Sequence, residues 1–368
     1  MAFTAGTKGG TGTLQSTSGF GAKYGELSDA DAFTIQKKFL VISKKLVTMA
    51  RFAQRDTKPL HEGKDVRWRR YERFTVDTTA LSEGVTPASD TLQQTTISLT
   101  LSQYGKWVPV TDVMMALSTD PIVQQITERQ AIQMAETMDT LAYNVFKAGT
   151  NIIYPGGVTT RATVVKGIGN GVAFTEADTA DAKNISNAVN TLEGKDAVKI
   201  SSVIKPASLD ATEPVAEGFF GICHPDVRGD IEAIKGFVPV EKYANYGAVL
   251  SGEIGKVGLV RFIATTLATA LPGNSGEVGG SAVAGLRNAT LDATKVAIYQ
   301  TLIFARDAVG CVSLSGQGAV TPTVVSPKPS AEDPLGQRGS VGYQYWYGCK
   351  ILQDNWLVRI EHGASNYA

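Results

Sequence analysis

The spacing of apolar positions divides the chain into segments with different periods. From Ala30 to Ala53, Phe33, Ile35, Phe39, Leu40, Ile42, Leu46, Val47, Met49 and Ala50 fall on one broad face at helical spacing. Lys37, Lys38, Lys44 and Lys45 lie opposite, and Asp29 or Asp31 is placed to cap the helix. Before it, residues 1–28 are dominated by Gly and Thr, show no period and read as a flexible arm. The pattern then turns to strand period. Val66, Trp68 and Arg70 alternate with Arg67, Arg69 and Tyr71. A polar stretch with Gly and Pro, Ala80 to Asp90, separates this strand from a return strand, Thr95 to Val110, in which Ile97, Leu99 and Leu101 alternate with polar neighbours. Together they predict a long hairpin. A two-stranded ribbon is marginal alone in water, so it needs another surface to lie on.

A long helix is predicted next. Asp120-Pro121 supplies a cap and a Pro at the first helical position. Ile122, Ile126, Met134, Met138, Leu141 and Val145 recur at helical spacing, and Gly149 is a candidate C-cap. At 1.5 Å per residue such a helix is roughly 40 Å long. From about 155 to 315 strand and helix patterns alternate, which suggests an α/β region. It holds a helix over Asp178 to Leu192, a buried strand Phe219 to Cys223, and a helical turn from His224-Pro225-Asp226 to Ile234. It also holds a buried strand Gly255 to Thr266, a loop Leu271 to Gly285, and a strand pair or single strand Lys295 to Ala305. Pro322 to Pro334 reads as a Pro-rich linker. Ser340 to Lys350 and Asn355 to His362 read as a terminal hairpin.

Composition narrows what this architecture serves. Lys plus Arg and Asp plus Glu are both 35, so the formal net charge is zero. A protein that condenses nucleic acid by neutralising phosphate is normally basic. Zero net charge instead lowers repulsion between copies of the same chain, and the low charged fraction of 19% fits a protein with large interfaces. Cys223, Cys311 and Cys349 are odd in number, far apart and without ligand spacing; they read as buried small hydrophobes in a reducing compartment. Neither a signal peptide nor a membrane-length apolar run is present.

No catalytic constellation is legible. In Thr7-Lys8-Gly9-Gly10-Thr11-Gly12-Thr13 the Lys precedes the glycines, unlike a phosphate loop. Gly167-Ile168-Gly169-Asn170-Gly171 misses the dinucleotide spacing. His61, His224 and His362 form no ligand pair, and His224 suits a helix N-terminal turn. The cluster Arg67-Trp68-Arg69-Arg70-Tyr71 admits two readings. One is a single-stranded nucleic-acid binding module, with aromatics stacking bases. The other, preferred, is a subunit contact, since Arg, Trp and Tyr are enriched at interface hot spots.

The order of parts resembles the Hong Kong 97 phage shell fold, an α+β fold. The blocks 81–87 (LSEGVTP), 103–112 (QYGKWVPVTD), 224–228 (HPDVR), 252–258 (GEIGKVG) and 333–342 (DPLGQRGSVG), the last running on to Val358-Arg359-Ile360-Glu361-His362, stand in that order. They are similar to the N-four-type branch of the major capsid proteins of tailed bacteriophages. Segments 155–215 and 270–292 match least. The resemblance implies an N-terminal arm (1–28), a helical segment (29–60), an extended β-hairpin loop (61–112) and the spine helix of a peripheral domain (113–152). An axial domain (153–320) and a linker with the C-terminal hairpin of the peripheral domain (321–368) follow. It implies a non-enzymatic shell protein that forms hexamers and pentamers of an icosahedral head around double-stranded DNA, assembled in the host cytoplasm and found in the virion. Scaffold, portal and decoration proteins are further expected partners; no cofactor, metal or membrane is. Arg67, Trp68, Arg69, Arg70, Glu83, Trp107 and Arg338 are the expected inter-subunit contacts.

Overall fold

The computed structural model describes residues 49–59, 61–80, 83–84, 86, 89–117, 122–168, 183–200, 217–242, 250, 252–271, 278–283, 285–290, 292–314, 320–325 and 334–366. The expected arm and nearly all of the helix over 30–53 lie outside them. The described part of that segment starts with a short 3-10 turn, Met49–Arg51, and Met49, Ala50, Phe52 and Ala53 are buried.

Along the chain follow β1 (Gln54–Lys58), β2 (Asp65–Tyr71), β3 (Gln94–Thr100), β4 (Ser102–Thr111), α1 (Asp112–Leu117) and α2 (Ile122–Phe146). The expected return strand is therefore two strands. They part at Leu101, which is buried, and belong to different sheets: β3 pairs with β2, whereas β4 joins β15 (below). Helix α2 is the predicted spine. Ala131, Met134, Ala135, Ala142, Tyr143 and Phe146 make its buried stripe, and the alanines let the sheet approach closely. Two buried polar groups on it are satisfied: Asp139 Oδ1 accepts from Met49 N at 3.1 Å, and Gln130 Nε2 donates to Val341 O at 2.9 Å. Gly149 does not end the helix as a left-handed cap. A Cβ there would lie 2.5 Å from Leu357 Cδ2, so close packing explains the glycine.

The chain continues through β5 (Ile152–Ile153), α3 (Lys183–Glu193), β6 (Phe219–Cys223), α4 (Arg228–Glu232), β7 (Phe237–Pro239), β8 (Glu253–Val257), β9 (Val260–Ala264), β10 (Val278–Ser281) and β11 (Lys295–Ala297). It ends in β12 (Tyr299–Phe304), β13 (Val309–Leu314), β14 (Val320–Val325), β15 (Arg338–Ile351) and β16 (Leu357–His362). The strand expected over 255–266 is a hairpin, β8 and β9, turning where Gly258 takes φ 57°. The loop expected over 271–285 contains β10. The expected Pro-rich linker begins as β14, where Pro322 is tolerated because β14 has β15 on one side only among the described strands.

Two larger sheets result. In the seven-stranded one the order is β5-β16-β12-β6-β9-β8-β7, and β6, β12 and β16 are buried along their whole length. Helices α3 and α4 and the α2 side cover it. The five-stranded sheet is organised on the long β15, with β4 along one edge and β13 and β14 along the other; β1 pairs with β13. The expected terminal hairpin does not form. β15 and β16 lie in different sheets, because Leu352 N and Gln353 N bond to Ala308 O at 2.9 and 3.1 Å, and the chain crosses over there. The cysteine reading is also corrected: Cys311 and Cys349 are disulfide-bonded across β13 and β15, and only Cys223 is a free, buried thiol.

Candidate assembly surface: the hairpin and its seat

β2 and β3 pair from Asp65↔Thr100 to Tyr71↔Gln94, and one more bond, Glu72 N to Gln93 O at 3.0 Å, extends the ladder. Hydroxyls brace it: Thr100 Oγ1 donates to Asp65 Oδ1 at 2.7 Å, and Thr95 Oγ1 to Glu72 Oε1 at 2.9 Å. Strand alternation splits the ribbon into two faces. Val66, Trp68, Ile97 and Leu99 are half-buried, while Arg67, Arg69, Tyr71, Thr96 and Ser98 are exposed.

The half-buried face is seated on the five-stranded sheet of the same chain. The seat is made by two glycines. A Cβ on Gly310 would come within 3.1 Å of the Trp68 ring, and one on Gly348 within 3.2 Å of Leu99 and 3.3 Å of Leu101. Arg70 fixes the root, donating to Leu352 O at 3.2 Å and to the Gln353 side-chain oxygen. Lys58 Nζ donates to Asp65 O.

Beyond the stem the ribbon loses this support. Tyr71, Phe74, Val76 and Leu92 are large, apolar and exposed, Val76 at 85%. Arg73 and Asp196 pair at 2.8 Å, but both are open to water, where an ion pair contributes little. Asp77 accepts from the backbone and hydroxyl of Thr79, which hold its carboxyl below the ordinary carboxylate range. Glu83 sits in a turn completed by Gly84 at φ 77°.

The expected contact residues thus fall in three places. Arg67, Trp68, Arg69 and Arg70 are on the stem, with Trp68 and Arg70 engaged by their own chain. Glu83 is at the tip. Trp107 and Arg338 share one face of the β4–β15 pair, where Trp107 is 67% exposed above Gly342; a Cβ on that glycine would meet Trp107 Cβ at 3.0 Å. Phe74, Val76 and Leu92 were not singled out from sequence. Their signal was present: Phe74, Val76 and Leu92 alternate with polar neighbours in strand period, on either side of the hairpin's Gly/Pro tip.

The polar clusters inside the chain pair most of their groups, with Gln300 Oε1 left buried without a hydrogen bond. Glu361, fully buried, receives Arg161 at 2.6 and 2.7 Å, Gln300 Nε2 at 3.1 Å and the Arg359 guanidinium at 2.9 Å. Glu253 and Arg261 make a second buried pair at 2.6 and 2.7 Å. His362 Nδ1 faces Gly363 O at 2.7 Å and must donate to it, so Nε2 accepts from Thr301 Oγ1 at 2.8 Å. Burial lowers its pKa below the ordinary histidine value. His224 begins a helical turn as expected, its Nδ1 accepting from Asp226 N at 3.1 Å. Asp226 in turn accepts from the Tyr299 hydroxyl at 2.8 Å and pairs with Arg287 at 3.2 Å. Among the described residues no group of three or more His, Cys, Asp or Glu is placed to hold a metal ion, and no helix is long and apolar enough to cross a membrane.

A chain with ion pairs buried in its core and, among the described residues, a hairpin that exposes Tyr71, Phe74, Val76 and Leu92 belongs to the class of proteins that assemble. Its fold is that of tailed-phage capsid shells. The capsid of Ralstonia phage GP4 superposes with TM-score 0.58 at 12% identity, covering 99% of this chain and 100% of that one. That of cyanophage P-SCSP1u gives 0.55 at 14% identity, covering 85% and 87%. The head protein of Helicobacter pylori bacteriophage KHP40 gives 0.54 at 12%, covering 98% and 99%. No curated protein matches the sequence. The phage capsid protein family matches residues 94–360, and the chain belongs to that family. It is a shell protein of the phage head, built from many copies of itself.

Proposed function

We propose that the distal hairpin, residues 71–93, is covered by a neighbouring copy in the shell, and that this contact joins subunits within and between hexamers and pentamers. The carrying observation is the contrast between a stem seated on its own sheet and a distal ribbon that exposes Tyr71, Phe74, Val76 and Leu92. Apolar surface of this kind on a projecting ribbon marks an interaction site. Charge supports a copy of the same chain as the partner. The ribbon between Val76 and Gln94 carries Asp77, Glu83 and Asp90 and no Lys or Arg; the stem carries Lys64, Arg67, Arg69 and Arg70 against Asp65. Tips repel one another and are drawn to a neighbour's basic stem or to the Arg338 and Trp107 face. Arg67, Arg69, Glu83, Trp107 and Arg338 are then contact residues. Trp68 and Arg70 act by holding the stem, and the packing of the Trp68 ring on Gly310 disfavours the base-stacking role of a single-stranded nucleic-acid module.

The shell encloses double-stranded DNA without reading its sequence and catalyses no reaction, and scaffold, portal and decoration proteins meet it during assembly. Membership of the N-four-type branch rests on the motif blocks. Deletion of 80–90 tests the reading: subunits should stay folded and soluble while electron microscopy shows no closed shells. Intact shells from that deletion overturn it.

A further inference from the structure

Cys311 and Cys349 stand directly opposite each other on β13 and β15, with Cα atoms 4.2 Å apart and their sulfurs bonded. So close a Cα separation marks a non-hydrogen-bonded pair, whose side chains lean together. The two cysteines are 38 residues apart in sequence, so the bond closes a loop containing β14 and most of β15. Cys311 is buried and Cys349 partly exposed, so Cys349 is the more open of the two residues.

The neighbours of these cysteines give the bond its role. Gly310 and Gly348, each one residue from a bonded cysteine, are the seat on which Trp68, Leu99 and Leu101 rest. The disulfide thus ties together the two strands that form the floor of the hairpin. A shell subunit is made inside a cell, where thiols are kept reduced, and ends in a particle outside it.

We propose that Cys311 and Cys349 are a dithiol during shell assembly and close into a disulfide when the particle leaves its host, as a clasp that fixes the hairpin floor in the finished shell. The oxidant is a low-molecular-weight disulfide such as oxidised glutathione. The Cys349 thiolate attacks it and one small thiol leaves; the Cys311 thiolate then attacks the mixed disulfide and the second small thiol leaves. The two cysteines give up two protons and two electrons, and the oxidant's S–S bond breaks as the protein's forms. Cys223 lies in the other sheet, fully buried, with its thiol pushed up to about 12 by burial, and stays reduced as an internal control.

The test compares particles trapped inside the infected host by a membrane-permeant maleimide with purified particles treated with oxidised glutathione. Mass spectrometry should find Cys311 and Cys349 both alkylated in the first and joined in the second. Subunit release in guanidinium should be roughly tenfold slower for joined particles, reversed by reductant. Cys349→Ser and Cys349→Ala particles should show neither the link nor any response to reductant. If these variants do not assemble, wild-type particles with and without reductant give the same readout. A pair already joined inside the host overturns the timing. A pair that stays free after oxidant, or a link that leaves release unchanged, overturns the clasp.

Discussion

The seven-stranded sheet and the projecting hairpin use the same backbone pairing and treat its consequences in opposite ways. In the sheet, β12 is buried at every position and has a partner on each side. Its polar side chains bond within the chain, Gln300 Nε2 to Glu361 and Thr301 to His362, and only Gln300 Oε1 among them lacks a hydrogen bond. In the hairpin, no residue of β2 or β3 is fully buried, and each strand has one partner. The sheet is finished by folding. The hairpin is finished in part by its seat, and its distal half stays exposed, the part we propose a second molecule covers. On that reading stability and assembly fall to different residues.

That division can be broken by mutation. The largest loss is expected inside the sheet: Glu361→Ala leaves the Arg161 and Arg359 guanidinium groups without their buried carboxylate and should destabilise the unassembled subunit by about 3–5 kcal/mol in denaturant titration. A smaller loss, about 1–3 kcal/mol, is expected for Gly348→Val, which pushes side-chain atoms into Leu99 and Leu101 and should also loosen the stem, read as faster hydrogen exchange across Val66–Tyr71. The buried His362 adds a pH term. Its folded pKa is lowered, so the unfolded chain binds the extra proton first; stability is full above the ordinary value of 6.5 and declines as pH falls through and below it. A His362→Gln subunit should show a flatter acid limb. The smallest stability effect is expected for Phe74→Ser with Val76→Ser, within about 0.5 kcal/mol, because both side chains already face water. The same variant should fail to close shells by electron microscopy. If it instead destabilises the free subunit as much as Glu361→Ala does, the distal ribbon folds against its own chain and the contrast collapses.

Much of this division was legible in the sequence, for local reasons. The strand Phe219 to Cys223 is a continuous apolar run, and the structure has it at those bounds. The spine helix is marked by helical spacing. What failed was partner choice. Alternation says that Ser340–Lys350 and Asn355–His362 are strands, but not that the short link between them turns away through the Ala308 carbonyl. The turn at Gly258 was signalled by its glycine but overridden by apolar neighbours on both sides. The Cys311–Cys349 pair and the Arg161–Glu361 pair depend on register between strands or loops far apart in sequence, which spacing cannot supply. At the assembly surface the arginine and tryptophan cluster was visible. Its division into a self-seated half and an open half was not, because the seat is made by Gly310 and Gly348, residues with no side chain to read.

The crossover at Leu352 and Gln353 has a mechanical meaning. It is the short covalent tether from β15 to β16, and it is also where Arg70 grips. A pull on the distal ribbon travels down the stem to this point, which is shared by both sheets. On the contact proposed above, a neighbour holding the tip would load this joint first, and the joint is where hairpin, β15 and β16 meet.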